Sequence, residues 1–248
     1  MADQRDTGVS AHYTHGSLLQ AIQAALAKTG KSPETVTVDD LAPVDEFHIG
    51  GREASVAFLD QLCFEAEDHV LDVGCGLGGA SRFAADRYGT RVTGIDLTEE
   101  FVETGRELCD WVDLADRILL QRESALDMPF ATASFDGGYM MHVGMNIADK
   151  ATLFGEVARV LKPGSVFGVY DIMRTANGDL TYPVPWAATG ETSALSAADD
   201  YETALTQAGF TIQNRRDRRD FALEFFAKLQ ARVAEHGPPP LGLHVLIG

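Results

Sequence analysis

The stretch Leu71-Asp72-Val73-Gly74-Cys75-Gly76-Leu77-Gly78-Gly79 places a run of glycines directly after a short apolar segment. Glycines there let the chain turn tightly and let a ligand lie against the main chain. The helix expected next would offer free N–H groups at its start. Asp96 lies twenty residues beyond Gly76, where a carboxylate can grip both hydroxyls of a ribose. Loop and acid together describe a site for a ligand that carries a nucleoside. The glycines fit two patterns. Gly74, Gly76 and Gly79 match G-x-G-x-x-G, which cradles the pyrophosphate of a dinucleotide. Gly74, Gly76 and Gly78 match G-x-G-x-G, the pattern of S-adenosylmethionine sites. Asp72 favours the second, because an acid is unwelcome beside a pyrophosphate and welcome beside an ammonium and a sulfonium.

Further along, His142 stands in MMHVGMNIAD. An imidazole, with its ordinary pKa of about 6.5, could take a proton from a substrate amine or hydroxyl; packing against the ligand is its plainer role. Asn146 is a polar neighbour, or a cap for the next helix. Arg174 could hold a substrate carboxylate as a fork, and Arg52 could do the same. Tyr182 and Trp186 could wall a methylammonium group. His48, beside Gly50-Gly51, could sit in a segment folded over the ligand, and Tyr13 and His15 could belong to a lid that excludes water. Surface exposure, loop packing, a simple turn and a frayed terminus are the alternatives for these. The run Arg215, Arg216, Arg218 and Arg219 reads as a solvated junction, and the Phe221–Phe226 stripe as core.

The elements that must position these groups follow from periodicity. Apolar residues at 18, 19, 22, 25 and 26 predict a helix from Ser17 to Lys28. A two-proline linker follows, then a helix over about 52–64. HVLDVG (69–74), RVTGID (91–96), RILLQ (118–122), SFDGGYMM (134–141) and SVFGVYDIM (165–173) read as strands, with helices between them. Thr98 opens the helix to about Val112, and Asp149 caps one ended by LKPG. Such alternation predicts an α/β fold with a Rossmann-like, mostly parallel sheet and helices on both faces. Residues 1–67 are expected to form a helical cap or lid, in one compact unit with residues 68–248. A long loop over 174–195 precedes a helix from Ser196 to Ala208, with Ser196 and Asp199 placed as a capping box. FTIQNRRD (210–217) reads as a strand and 220–237 as an amphipathic helix. A closing strand in LGLHVLIG is doubtful. If it is lacking, an exposed sheet edge would need a cover, which leaves a homodimer open.

The chain has 248 residues, with 20 Lys+Arg against 37 Asp+Glu and a formal charge of −17. That balance argues against a nucleic-acid partner and against an anionic membrane surface. The three cysteines show no C-x-x-C spacing, so zinc and redox-pair readings fail. Reduced thiols, the lack of a signal-peptide pattern and the lack of a long apolar run suit a cytoplasmic enzyme. No metal is expected.

LDVGCGLGG, VTGIDLT, SALDMPF, SFDGGYMMHV and RVLKPG occur in that order. In this the chain resembles the class I S-adenosylmethionine-dependent methyltransferases over about residues 68–173, and within them the ubiquinone-biosynthesis and sarcosine/dimethylglycine methyltransferase group. The flanks Phe47-His48-Ile49-Gly50-Gly51 and Tyr182-Pro183-Val184-Pro185-Trp186-Ala187 are similar to the latter. The resemblance implies that Gly74, Gly76 and Gly78 line the methionine part of the cofactor, and Asp72 and Cys75 are expected among the cofactor-binding residues. It implies that Asp96 binds the ribose and that Leu97 packs by the adenine. Ser124 stands where relatives carry an acid for the adenine amino group, and Ala125 and Leu126 would contribute main chain beside it. His142 would face the methyl group or substrate. The implied reaction is methyl transfer to a small molecule, leaving S-adenosylhomocysteine. A small amine, sarcosine- or dimethylglycine-like, is the first expectation for the acceptor. O- or C-methylation of a natural product or quinone-like compound is the alternative. An NAD-type oxidoreductase and a non-catalytic binding module are readings from other classes.

Overall fold

The computed structural model describes residues 8, 16–176, 178–242 and 244–245. Strands β1 (His69–Val73), β2 (Arg91–Asp96), β3 (Ile118–Arg122), β4 (Phe135–Met141) and β5 (Leu161–Tyr170) form one sheet in the order β3-β2-β1-β4-β5. Every pairing is parallel. A parallel sheet must be covered on both faces, which is why its strands read as short apolar runs. Along β1 the side chains divide by the two-residue period. Val70 joins the cluster with Phe83, Ala84 and Val102, whereas Leu71 and Val73 join the opposite cluster with Phe154, Val157 and Tyr201.

The helices are α1 (Leu18–Lys28), α2 (Val38–Asp45), α3 (Gly51–Leu59), α4 (Gly79–Tyr88), α5 (Glu99–Trp111), α6 (Lys150–Val160), α7 (Ala198–Gln207) and α8 (Arg219–His236). The buried face of α5 is Phe101, Val102, Gly105, Leu108 and Cys109, the spacing of an amphipathic helix. Glu99 and Glu100 suit its N-terminus. Asp149 caps α6 by accepting from Thr152 N–H at 2.9 Å. The helices α1 and α2 pack on Leu77, Phe101 and Leu108, and a buried ion pair of 2.5 Å from Asp45 to Arg82 ties α2 to α4.

Several expectations are corrected. The two-proline linker contains α2, which holds Pro43 inside it. Thr37 and Asp40 form a capping box there, which offsets the hydrogen bond that proline removes. The next helix stops at Leu59, because the chain turns through Cys63 at a positive φ of 52°. At α7, Asp200 rather than Asp199 accepts a first-turn N–H, from Ala197 at 2.9 Å; Asp199 instead pairs with Arg215 at 2.8 Å. Residues 210–217 form no strand: Phe210 packs on Phe167, and 211–217 are exposed. Arg215 there pairs with Asp199 and Glu202 of α7. The Phe221–Phe226 stripe is not core: α8 has no buried residue, and Leu223 is 55% and Phe226 43% exposed. Among the described residues near the C-terminus no strand forms, and Leu241 packs against α1 and α2.

Candidate active site

Register brings the predicted groups together. Val73 stands opposite Ile95 and Met140, and Asp96 opposite Arg122. The exits of β1, β2, β3 and β4 therefore lie side by side along one edge of the sheet. The chain order reverses between β1 and β4, and open α/β sheets bind ligands at such a switch point. A cleft opens there, about 1130 Å³ counted out to its open mouth. Asp72, Gly74, Cys75, Gly76, Asp96, Leu97, Ser124, Ala125, Leu126, His142, Asn146 and His48 all line it.

The glycine loop is shaped from two sides. Gly74 has φ +73°, and a Cβ there would come within 2.2 Å of Val143, so the loop lies hard against the exit of β4. Gly76 has φ +54°, and a Cβ there would meet no protein atom within 4 Å; this part of the loop faces open space. Asp96 holds it in place, accepting from Gly76 N–H at 3.0 Å and Thr98 N–H at 2.8 Å. Burial raises the pKa of Asp96. Asp72 is 2% exposed and accepts from Ser81 Oγ at 2.6 Å and Tyr139 OH at 3.1 Å. Burial outweighs those bonds and pushes it up to about 7. Ser124 Oγ accepts from Leu126 N–H at 3.2 Å, which shapes the turn that presents Ala125 and Leu126.

At the other end of the cleft stand two imidazoles. His142 has a backbone φ of +55°, and its N–H donates to Tyr170 O at 2.8 Å. A side chain held in the left-handed region costs stability, and such strain collects at working sites. Its ring lies 6.0 Å from that of His48 and 5.3 Å from that of Tyr170. Burial, then His48, moves His142 down to about 3. Burial moves His48 down to about 4. Both rings are neutral bases at neutral pH.

Of the expected substrate groups, Arg52, Arg174, Tyr182 and Trp186 lie outside the cleft lining. Tyr13 falls outside the described residues, as does His15. Arg174 donates to Gly178 O and bridges Ala197 through its backbone, so it braces its own loop and does not line the cleft. Trp186 is buried beside Met145 and Ala187, with Tyr182 packed on that cluster, and its Nε1–H donates to Ser193 Oγ at 3.1 Å. These rings form a small core under the loop and not a wall of the cleft. Arg52 pairs with Glu46 at 2.9 Å and stacks over Phe83. Asn146 does line the cleft, and its amide donates to Trp186 O and Thr192 O at 2.8 and 3.0 Å; it thereby anchors the 174–195 loop to the site.

Sequence reasoning missed Asp45, Phe47 and Glu123, which also line the cleft. Glu123 follows β3 directly, so the rule that ligands gather beyond strand ends could have found it. Asp45 and Phe47 arrive from the N-terminal helices, and no local pattern announces that.

The lining fits S-adenosylmethionine better than a dinucleotide. It carries Asp72, Asp96, Glu123 and Asp45, and among the described lining residues there is no Lys or Arg. Acids suit a ligand with an ammonium and a sulfonium and oppose a pyrophosphate. Asp96 presents its carboxylate at the glycine loop. Among the described residues no cluster of His, Cys, Asp and Glu could hold a metal ion, and no helix is long and apolar enough to cross a membrane.

A family model described as a methyltransferase domain matches residues 71–169. An O-methyltransferase of Aspergillus sclerotiorum is 31% identical over 165 residues, 64% of this chain and 61% of that protein. An O-methyltransferase of Pyrenophora dematioidea is 27% identical over 216 residues, 86% of this chain and 78% of that protein. Among solved structures, phosphoethanolamine N-methyltransferase 2 of Haemonchus contortus, in complex with S-adenosyl-L-methionine, superposes with a TM-score of 0.72 at 19% identity, covering 95% of this chain and 51% of that one. At that identity the likeness speaks for the fold alone. With five motifs in order and a parallel sheet of five strands, residues 71–169 form a methyltransferase domain of the class I S-adenosylmethionine-dependent kind.

Proposed function

We propose that this enzyme methylates a hydroxyl group on an uncharged, partly apolar small molecule of the natural-product kind. One observation carries the choice of acceptor: no described residue that lines the cleft is a Lys or Arg, while Phe47, Phe101, Leu126, Met141, Val143 and Ile147 are among them. Sarcosine and dimethylglycine each carry a carboxylate, which a buried site holds with a cation. The arginine expected to do so, Arg174, is tied to Gly178 instead. The names of the O-methyltransferase relatives support the same reading. The small-amine expectation therefore gives way to the O-methylation alternative.

When bound, S-adenosylmethionine supplies an electrophilic methyl group on sulfur. In this reading Asp96 would hold the ribose, the 74–78 loop with Asp72 the methionine part, and Leu97 with Ser124–Leu126 the adenine. The protein's main contribution to rate is alignment of the acceptor oxygen. A hydroxyl must also lose its proton, and His142 and His48 stand at that end of the cleft as neutral bases.

A panel of phenols, hydroxylated lactones, sarcosine, dimethylglycine and phosphoethanolamine, with isotope-labelled S-adenosylmethionine, tests the proposal. Label is expected in an ether of a phenol or lactone. Transfer to the amines alone would reverse the reading.

A further inference from the structure

We infer that His48 is the group that takes the proton from the methyl acceptor, and that Ser55 and Glu46 hold it in the form able to do so. The inference rests on the hydroxyl reading above. Nε2 of His48 lies 3.1 Å from the carbonyl oxygen of Gly51 and 3.1 Å from Ser55 Oγ. A carbonyl oxygen only accepts, so Nε2 carries the hydrogen. The hydroxyl hydrogen of Ser55 goes to Glu46 Oε2 at 2.8 Å, which leaves an oxygen lone pair to face His48. Both neighbours thus select the same tautomer. The basic lone pair is then on Nδ1, since the ring's hydrogen bonds among the described residues are both at Nε2, and the ring lines the cleft.

Behind the ring runs a polar chain. Glu46 Oε2 stands 3.9 Å from Nε2, and its Oε1 lies 2.9 Å from Arg52 Nε. A carboxylate behind an imidazole fixes the tautomer and stabilises the imidazolium that forms. His142 lacks such support. No described residue hydrogen-bonds its ring, and its ring neighbours are Tyr170 and His48. That environment suits shaping and orienting the acceptor.

In the proposed step the acceptor O–H bond breaks and the proton joins the Nδ1 lone pair. The oxygen keeps the electron pair with which it bonds the methyl carbon. His48 leaves as an imidazolium and passes its proton to water. The titratable and charged groups facing Glu46 are Asp45, Arg52, Arg82 and His48, and those facing His48 are Glu46, Arg52, His142 and Tyr170. Burial and then Asp45 push Glu46 up to about 7, so the chain behind His48 becomes fully anionic only above that pH.

Nitrogen-15 spectra of the full-length, histidine-labelled chain read the tautomer without turnover. His48 is expected to carry its proton on Nε2, and a proton on Nδ1 would overturn the assignment. His48→Gln places an amide N–H where Nε2–H stands but removes the base. Its rate with the fastest hydroxyl acceptor should fall roughly 100-fold or more, with unchanged affinity for S-adenosylhomocysteine. The wild-type rate is expected to rise through about pH 7 as Glu46 ionises, and Glu46→Gln should lose that rise. A greater loss in His142→Gln than in His48→Gln, or an unaltered pH profile in Glu46→Gln, would also overturn it. A panel with no hydroxyl acceptor sinks the hydroxyl reading instead, and the tautomer still decides the fate of His48.

Discussion

Asp72 serves the fold and the ligand with opposite electrostatic demands. Burial lifts it to about 7, against hydrogen bonds from Ser81 and Tyr139 that pull it down. Its unfolded value is about 3.9. Between those values the folded chain keeps a proton that the unfolded chain has released, so stability falls as pH rises through that window. Asp72→Asn should fall less steeply than wild type, as read from melting temperatures of the ligand-free chain from about pH 4 to 8. A cationic ligand favours the carboxylate, so affinity for S-adenosylmethionine should rise through about pH 7 in wild type and stay flatter in Asp72→Asn. Parallel slopes in calorimetric titrations would contradict this. The residues at strand ends, Asp72, Asp96, Ser124 and His142, were legible because a strand's exit fixes where the next side chain goes. Arg174, Tyr182 and Trp186 were not. They sit on a long loop whose path is set by distant contacts, such as those from Asn146, that spacing does not encode.

At the scale of elements, one contact attaches the N-terminal helices. Arg82 is fully buried on α4 and donates to Asp45 Oδ2, Leu77 O and Gly105 O. Removing one member of a buried pair strands the other charge, at a cost of about 3–5 kcal/mol. Arg82→Met should lose about that much in denaturant unfolding, and Arg82→Met with Asp45→Leu should recover most of it. A double variant as unstable as the single one would show that the pair itself carries the stability. The strands and most helices were readable from period and caps. The helix α2 was hidden by its proline, and its evidence was the Thr37–Asp40 box. The 210–217 segment misled because alternation of side chains says nothing about whether a neighbouring strand is there to receive it.

For the whole molecule, the charge of −17 acquires a direction. The cleft is lined by acids, and S-adenosylmethionine carries one net positive charge whereas S-adenosylhomocysteine carries none. Salt screens such attraction over about 10 Å at 0.1 M. Raising sodium chloride should weaken S-adenosylmethionine binding and leave S-adenosylhomocysteine nearly unchanged. Equal salt slopes for the two would show that the surface field has no part in recognition. The sheet order also has a temporal meaning. The walls made by β1, β2 and β3 come from residues 69–122, neighbours along the chain. The opposite wall waits for β4, whose Gly138 pairs with Leu71 across a long sequence separation. Closing that separation carries an entropic cost that the nearer strands do not meet. During synthesis the part of the cleft formed by β1, β2 and β3, with His48 already made, can therefore take shape while the wall that carries His142 has still to emerge.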